Sequence, residues 1–339
     1  MYMMTGSPLM GGALCRMKSF LRSCELDWDE SISFTAALVE DDEILATASL
    51  DGGTVKCVAV SPAHQGEDLT AQVLTAVLQE AAQRGMDHLM LYTKPQNQFL
   101  FQPLGFHPVI RTAGCLLMEN RRNGLSQFLD AIEKPDGAPV GCIVANCNPF
   151  TLGHRHLIER ASKECAWVHV FILSEDKSRF SAQARLAMAK EGCRDLGNVL
   201  VHPTGPYMVS SSTFPTYFIK DQSRAGDIHC ELDLRLFAEK IAPALSITRR
   251  YVGTEPNCAV TAHYNERMKD ILPQYGIDVV EIPRKEAAGQ VISASQVRRL
   301  IAEERFEELE HLLPESSIDL IQFSKGALPC LIPTECSET

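Results

Sequence analysis

The chain has 339 residues, enough for two domains of ordinary size, and its 45% hydrophobic and 22% charged content is that of a globular protein. A net charge of −11 argues against non-specific nucleic-acid binding, and no apolar run approaches the roughly 20 residues a membrane span needs. The start, MYMMTGSPLMGGALCRMKSF, places small and apolar residues before its first charge, the reverse of a secretory signal, and twelve cysteines without a C-x-x-C pair point to reduced thiols in a cytoplasm.

In chain order, residues 35–40 and 43–50 read as strands joined by the acidic Asp41-Asp42 turn, and 56–60 as a further short strand. Residues 69–83 carry Leu69, Val73, Leu74, Val77, Leu78 and Ala81 on one helical face, and 89–93 return to strand. The stretch Glu133-Lys134-Pro135-Asp136-Gly137-Ala138-Pro139 marks a boundary. The expected division is therefore a first domain at 1–134, a second at 135–325 and a tail at 326–339. Beyond the boundary, strands at 140–145, 167–173, 199–202, 247–253 and 278–282 alternate with helical patterns, as a doubly wound parallel sheet requires. Trp167 to Leu173, WVHVFIL, is continuous enough to be buried on both faces.

The most informative segment is GCIVANCNPFTLGHRHLIERA, residues 141–161. An apolar strand meets a turn at Asn146-Cys147-Asn148-Pro149, then Thr151-Leu152-Gly153-His154, then a helix. A helix start offers unpaired N–H groups and about half a positive charge to an anion. Gly153 lacks a Cβ where a phosphate could press on the backbone, and His154 lies in the first turn. Far downstream stands Ile292-Ser293-Ala294-Ser295-Gln296-Val297-Arg298, a serine-capped amphipathic helix start. His154 and His156 are two residues apart, so on a helix they cannot share a metal, and no metal site is expected.

The pair T-x-G-H and ISASQVR resembles the nucleotidyltransferase superfamily. That resemblance implies an α/β, Rossmann-like fold that binds ATP, with Mg²⁺ arriving on the nucleotide. It implies that His154 offsets developing charge on the α-phosphate with Thr151 as a hydroxyl donor beside it. Lys177 and Arg298 would hold the departing pyrophosphate. The nucleotide would also meet Asn148, Phe150 and Gly153 of the first loop, Arg185 of a following helix, Gly253 and Glu255 near the adenine, and the hydroxyls of Ser293 and Ser295.

The first region resembles an acyltransferase domain of the acetyl-CoA-dependent (GNAT) type, an α+β fold, through VKCVAVSP, QGEDLTAQVL and the residues 97–106 NQFLFQPLGF. Asp68 and Thr70 stand where that family's pyrophosphate loop has glycines, and Phe101 where it has a proton-donating tyrosine. The resemblance therefore implies the fold without ordinary acetyl-CoA transfer, and leaves a pantetheine-docking role or an inert scaffold open.

The two parts together resemble the citrate lyase ligase family from about Leu14 to Leu312, through CNPFTLGH, SEDKSRF, SSTFPTYF, LFAEKIAPAL, RYVGTEP, EIPRKE and ISASQVR. The resemblance implies ATP-dependent acetylation, from acetate, of the thiol of a CoA-like prosthetic group on the citrate lyase acyl carrier subunit, with no nucleic-acid or membrane partner. An adenylyltransferase of the pantetheine-phosphate or mononucleotide type is the alternative that the T-x-G-H site alone would favour. A non-catalytic acyl-CoA binder is the third.

Overall fold

Strand-forming residues fall into two groups along the chain, and each group builds its own sheet. The computed structural model describes residues 1–176, 178–256, 258–287 and 289–326, so the expected tail lies outside the described residues apart from Gly326. One unit comprises Met1–Gln127 together with Phe214–Leu232, and the other Phe128–Thr213 with the described residues from Asp233 on.

The first unit holds β1 (Tyr2–Gly6), β2 (Phe34–Glu40), β3 (Glu43–Asp51), β4 (Thr54–Val60), β5 (Met90–Thr93), β6 (His107–Arg111) and β7 (Leu116–Glu119), in the order β1-β2-β3-β4-β5-β7-β6. Strand β1 lies in the stretch read only for a signal peptide, and it pairs antiparallel with β2. Asp41 and Asp42 both adopt positive φ (47° and 66°), the conformation a tight hairpin turn demands and short acidic side chains tolerate. The helix Leu69–Gln83 turns Leu69, Val73, Leu74, Val77 and Ala81 into a core shared with Leu38, Ala46 and Leu50 of the sheet. Asp68 precedes that helix without capping it, and Phe101 is buried edge-on to Phe106. This is the GNAT-like domain.

Strands β4 and β5 are parallel neighbours paired only at Thr54↔Met90 and Val55↔Leu91. Past those residues the opening is filled by the chain itself. The Tyr217 hydroxyl donates to the Tyr92 carbonyl of β5 at 3.2 Å and faces the Cys57 backbone N–H of β4. The Tyr217 carbonyl accepts from Asp27 N–H at 2.9 Å, and Phe214 meets the Tyr92 ring edge-on at 5.6 Å. Phe214, Tyr217, Phe218 and Ile219 are all buried. Groups that diverging strands would leave unpaired are thereby satisfied.

The second unit holds β8 (Val140–Ala145), β9 (Trp167–Ile172), β10 (Val199–Pro203), β11 (Ile247–Gly253) and β12 (Asp278–Ile282), all parallel, in the order β10-β9-β8-β11-β12. The helix Leu152–Glu164 connects β8 to β9 and buries Ile158 and Ala161. Its core neighbours include Ile143, Val168 and Val170 of the sheet, Met188 of the helix Ala182–Gly192, and Val297 of the helix Ala294–Ala302. The strand order reverses between β8 and β11, and ligands of such sheets bind beyond the strands' C-terminal ends at that point. Two short strands, β13 (Glu286–Ala287) and β14 (Gln290–Val291), form a small hairpin just before the last motif.

Candidate active site

The loop after β8 is shaped from its own residues. Cys147 takes positive φ (50°) and is buried. Asn148 precedes a cis Pro149, and its side-chain oxygen accepts the Phe180 N–H at 3.2 Å, tying this loop to the one after β9. Thr151 then caps the helix Leu152–Glu164. Its hydroxyl oxygen accepts the His154 N–H, while its own N–H donates to His154 Nδ1 at 3.0 Å. This reciprocal cap fixes the imidazole chemically as well as spatially. A ring nitrogen that accepts a backbone N–H carries no proton, so the proton of neutral His154 sits on Nε2. Burial, with a contribution from the Arg284 charge, pushes the His154 pKa down to about 4. His154 is accordingly a neutral Nε2–H donor at physiological pH.

Two of the helix's free N–H groups are engaged, Leu152 by the Leu312 carbonyl at 2.9 Å and His154 by Thr151. The Gly153 N–H has no acceptor among the described residues. A Cβ on Gly153 would stand 3.4 Å from Thr151 Oγ1 and 3.5 Å from the Ile292 carbonyl, ordinary contact distances. Neither packing nor backbone conformation demands glycine there, which leaves the bare surface toward a ligand. The Ile292 contact also brings the start of the helix Ala294–Ala302 against the start of the helix Leu152–Glu164, so two positive helix ends converge.

Ser293 caps that second helix, its oxygen accepting the Gln296 N–H at 3.1 Å, and Ser295 accepts from Arg298 Nη2 at 2.9 Å. Arg298 Nη1 donates to the Asn148 carbonyl at 2.7 Å. Arg179 Nη1 donates to the Arg298 carbonyl at 3.0 Å. Burial and the neighbouring Arg179 charge hold the Arg298 guanidinium below its ordinary range. No carboxylate among the described residues pairs with either arginine. Two unneutralised guanidinium groups beside two helix starts form a place for a polyanion.

From β11, the Gly253 carbonyl accepts Asn265 Nδ2 at 3.1 Å. Glu255 pairs with Arg284 Nη2 and accepts the Cys258 N–H at 3.2 Å. Arg284 Nε donates to the Thr254 carbonyl at 2.6 Å.

The expected site residues thus separate by role. His154, Gly153, Asn148, Arg298, Ser293 and Ser295 come together at the sheet's C-terminal edge. Thr151 turns its hydroxyl into the cap and is a positioning residue. Phe150 is fully buried, stacked on His154 at 5.9 Å between ring centres and packed against Gly192, so its ring supports the imidazole from the core. Arg185 is also fully buried. It donates to the carbonyls of Phe180 (3.0 Å), Asn146 (2.9 Å), Leu173 (2.8 Å) and Glu175, and lashes the loops after β8 and β9 together from below. A guanidinium so occupied is not a triphosphate ligand. Glu255 has its carboxylate engaged by Arg284. Lys177 lies outside the described residues. Arg179 and Arg284 were not expected; Arg284 stands two residues past the end of the parallel strand β12, the position that should have marked it.

Fold and site define a nucleotidyltransferase-type domain preceded in the chain by a GNAT-like one. Residues 140–321 match the family described as "Citrate lyase ligase C-terminal domain", and residues 14–106 match "Acetyltransferase (GNAT) family". A [Citrate [pro-3S]-lyase] ligase of Klebsiella pneumoniae is 38% identical over 309 residues, covering 89% of this chain and 90% of that protein. One of Haemophilus influenzae is 39% identical over 319 residues, covering 91% and 95%. The chain belongs to the citrate lyase ligase family and is an enzyme of that ligase class. Among solved structures, Thermotoga maritima TmcAL bound with alpha-thio ATP aligns with a TM-score of 0.36 at 16% identity, over 56% of each chain. Among the described residues no helix is long and apolar enough to cross a membrane.

Proposed function

We propose that this enzyme uses ATP and acetate to acetylate the thiol of the CoA-like prosthetic group on the citrate lyase acyl carrier subunit, through an acetyl-adenylate. Acetate is a poor acyl donor because its carboxylate resists nucleophiles. An acetate oxygen attacks the α-phosphorus of ATP; the new O–P bond forms as the bond to pyrophosphate breaks. The carrier's sulfur then attacks the acyl carbon, the thiol proton passes to solvent, and AMP leaves.

The observation that supports this reading is the convergence of the His154 Nε2–H, the open Gly153 N–H and two unpaired arginines on one point of the sheet edge. These are donors for phosphate oxygens on which charge grows during displacement. His154 acts by donating a hydrogen bond rather than by carrying a full charge. Arg298 and Arg179 hold the departing pyrophosphate, and Lys177 is assigned to the same task. ATP would bring its own Mg²⁺, which would withdraw charge from the phosphates, and the guanidinium and N–H donors of the site fit an ATP so loaded. We assign residues 1–134 to the GNAT-like domain and 135–325 to the ATP-binding domain, with the insert Phe214–Leu232 seated in the former, and place the enzyme in the cytoplasm, where a carrier thiol stays reduced.

Incubating the purified carrier with enzyme, ATP and acetate and weighing the carrier by mass spectrometry tests this. Gain of one acetyl group, dependent on ATP and acetate, is expected. An unchanged carrier alongside adenylyl transfer to a mononucleotide would establish the alternative.

A further inference from the structure

We propose that Arg284 is a catalytic residue for adenylylation, a guanidinium clamped by Thr254 and Glu255 so that its remaining edge meets the same phosphate as His154. This deepens the adenylylation reading and rests on it. Three observations carry it.

The first is the clamp. Arg284 Nε donates to the Thr254 carbonyl at 2.6 Å, Nη2 pairs with Glu255, and the Arg284 backbone N–H donates to Thr254 Oγ1 at 3.3 Å. Nη1 has no acceptor among the described residues. A planar fork fixed on two sides can present only its third.

The second is the exposure of the pair. The Glu255 side chain is 8% exposed and that of Arg284 27%, so the carboxylate is buried behind a cation that remains open. Glu255 is a positioning residue in this arrangement.

The third is place. Arg284 follows β12, the neighbour of β11, and its Cγ lies 3.9 Å from where a Gly253 Cβ would stand. The next residue, Lys285, accepts the Ile292 N–H at 3.0 Å, and Ile292 packs on Gly153. Arg284 is therefore tied to both the β11 end and the helix start that carries His154. The Arg284 charge contributes to the lowered His154 pKa; Glu255 pairs with Arg284, Arg298 bonds the Asn148 carbonyl and Arg179 the Arg298 carbonyl. As the acetate oxygen bonds to the α-phosphorus and the pyrophosphate bond breaks, Arg284 donates hydrogen bonds to the non-bridging oxygens and transfers no proton.

The test is ATP–pyrophosphate exchange in the full chain, with kcat and KM for ATP separated for wild type, R284Q, R284K and E255Q. R284Q should lose roughly 10²–10³ in kcat, the loss typical of one preorganised donor, with a smaller change in KM. R284K should recover part of it, and E255Q should cost about tenfold through misplacement of Arg284. In NMR titrations of the imidazoles, R284Q should raise the His154 pKa, and an unmoved pKa would show that the guanidinium does not act at the ring. R284Q or R284K turning over within about twofold of wild type, or a loss confined to KM for ATP, would overturn the assignment alone. A wild-type chain without exchange toward any acceptor would overturn both it and the adenylylation reading.

Discussion

His154 concentrates the chemistry of the site in one ring. Its Nδ1 is occupied by the backbone of Thr151, so Nε2–H alone remains for a ligand. His154→Ala should lower exchange by roughly 10²–10³ with the thermal transition little changed, and near-wild-type turnover would contradict the role. Acid stability follows from the same burial. The His154, His169 and His202 pKa values all lie near 4, against an ordinary 6.5, with His169 Nδ1 and His202 Nε2 3.2 Å apart. In that interval the unfolded chain binds protons that the folded chain refuses, so stability is full above about 6.5 and falls as pH drops toward 4. His169→Phe should flatten that fall in urea titrations at pH 7 and pH 5. The residues T-x-G-H and ISASQVR were legible because local sequence makes both the turn and the caps. Arg185 was misread because burial is a tertiary property. Nothing in the helix pattern around it says that Phe180, Asn146, Leu173 and Glu175 all aim carbonyls at its guanidinium.

At the scale of elements, strand positions in the second unit follow from runs buried on both faces, and the expected β8, β11 and β12 match the observed bounds. The segment Phe214–Ile219 was legible only as a family string. Its partners, Tyr92, Cys57 and Asp27, are more than a hundred residues away, and no periodicity encodes such contacts. It fills the opening between β4 and β5. Tyr217→Phe removes the hydroxyl between the Tyr92 carbonyl and the Cys57 N–H. Leaving those buried groups unmet should cost about 1–3 kcal/mol in denaturant unfolding, while exchange stays at the wild-type level. An exchange rate falling with stability intact would show that the segment serves the chemistry directly.

For the whole molecule, the two units are not successive pieces of chain, because Phe214–Leu232 returns to the first. A chain beginning at Gly137 would uncover Phe214, Tyr217, Phe218, Ile219 and Ile228, large apolar side chains that are normally buried, and should aggregate at concentrations where the full chain does not. The central claim is that the parallel-sheet unit activates a carboxylic acid by adenylylation. Exchange of labelled pyrophosphate into ATP, with acetate, propionate and mononucleotides supplied in turn to the full chain, tests it most directly. The account predicts exchange that depends on acetate and falls by roughly 10²–10³ in His154→Ala. Exchange supported by a mononucleotide and not by acetate would contradict it.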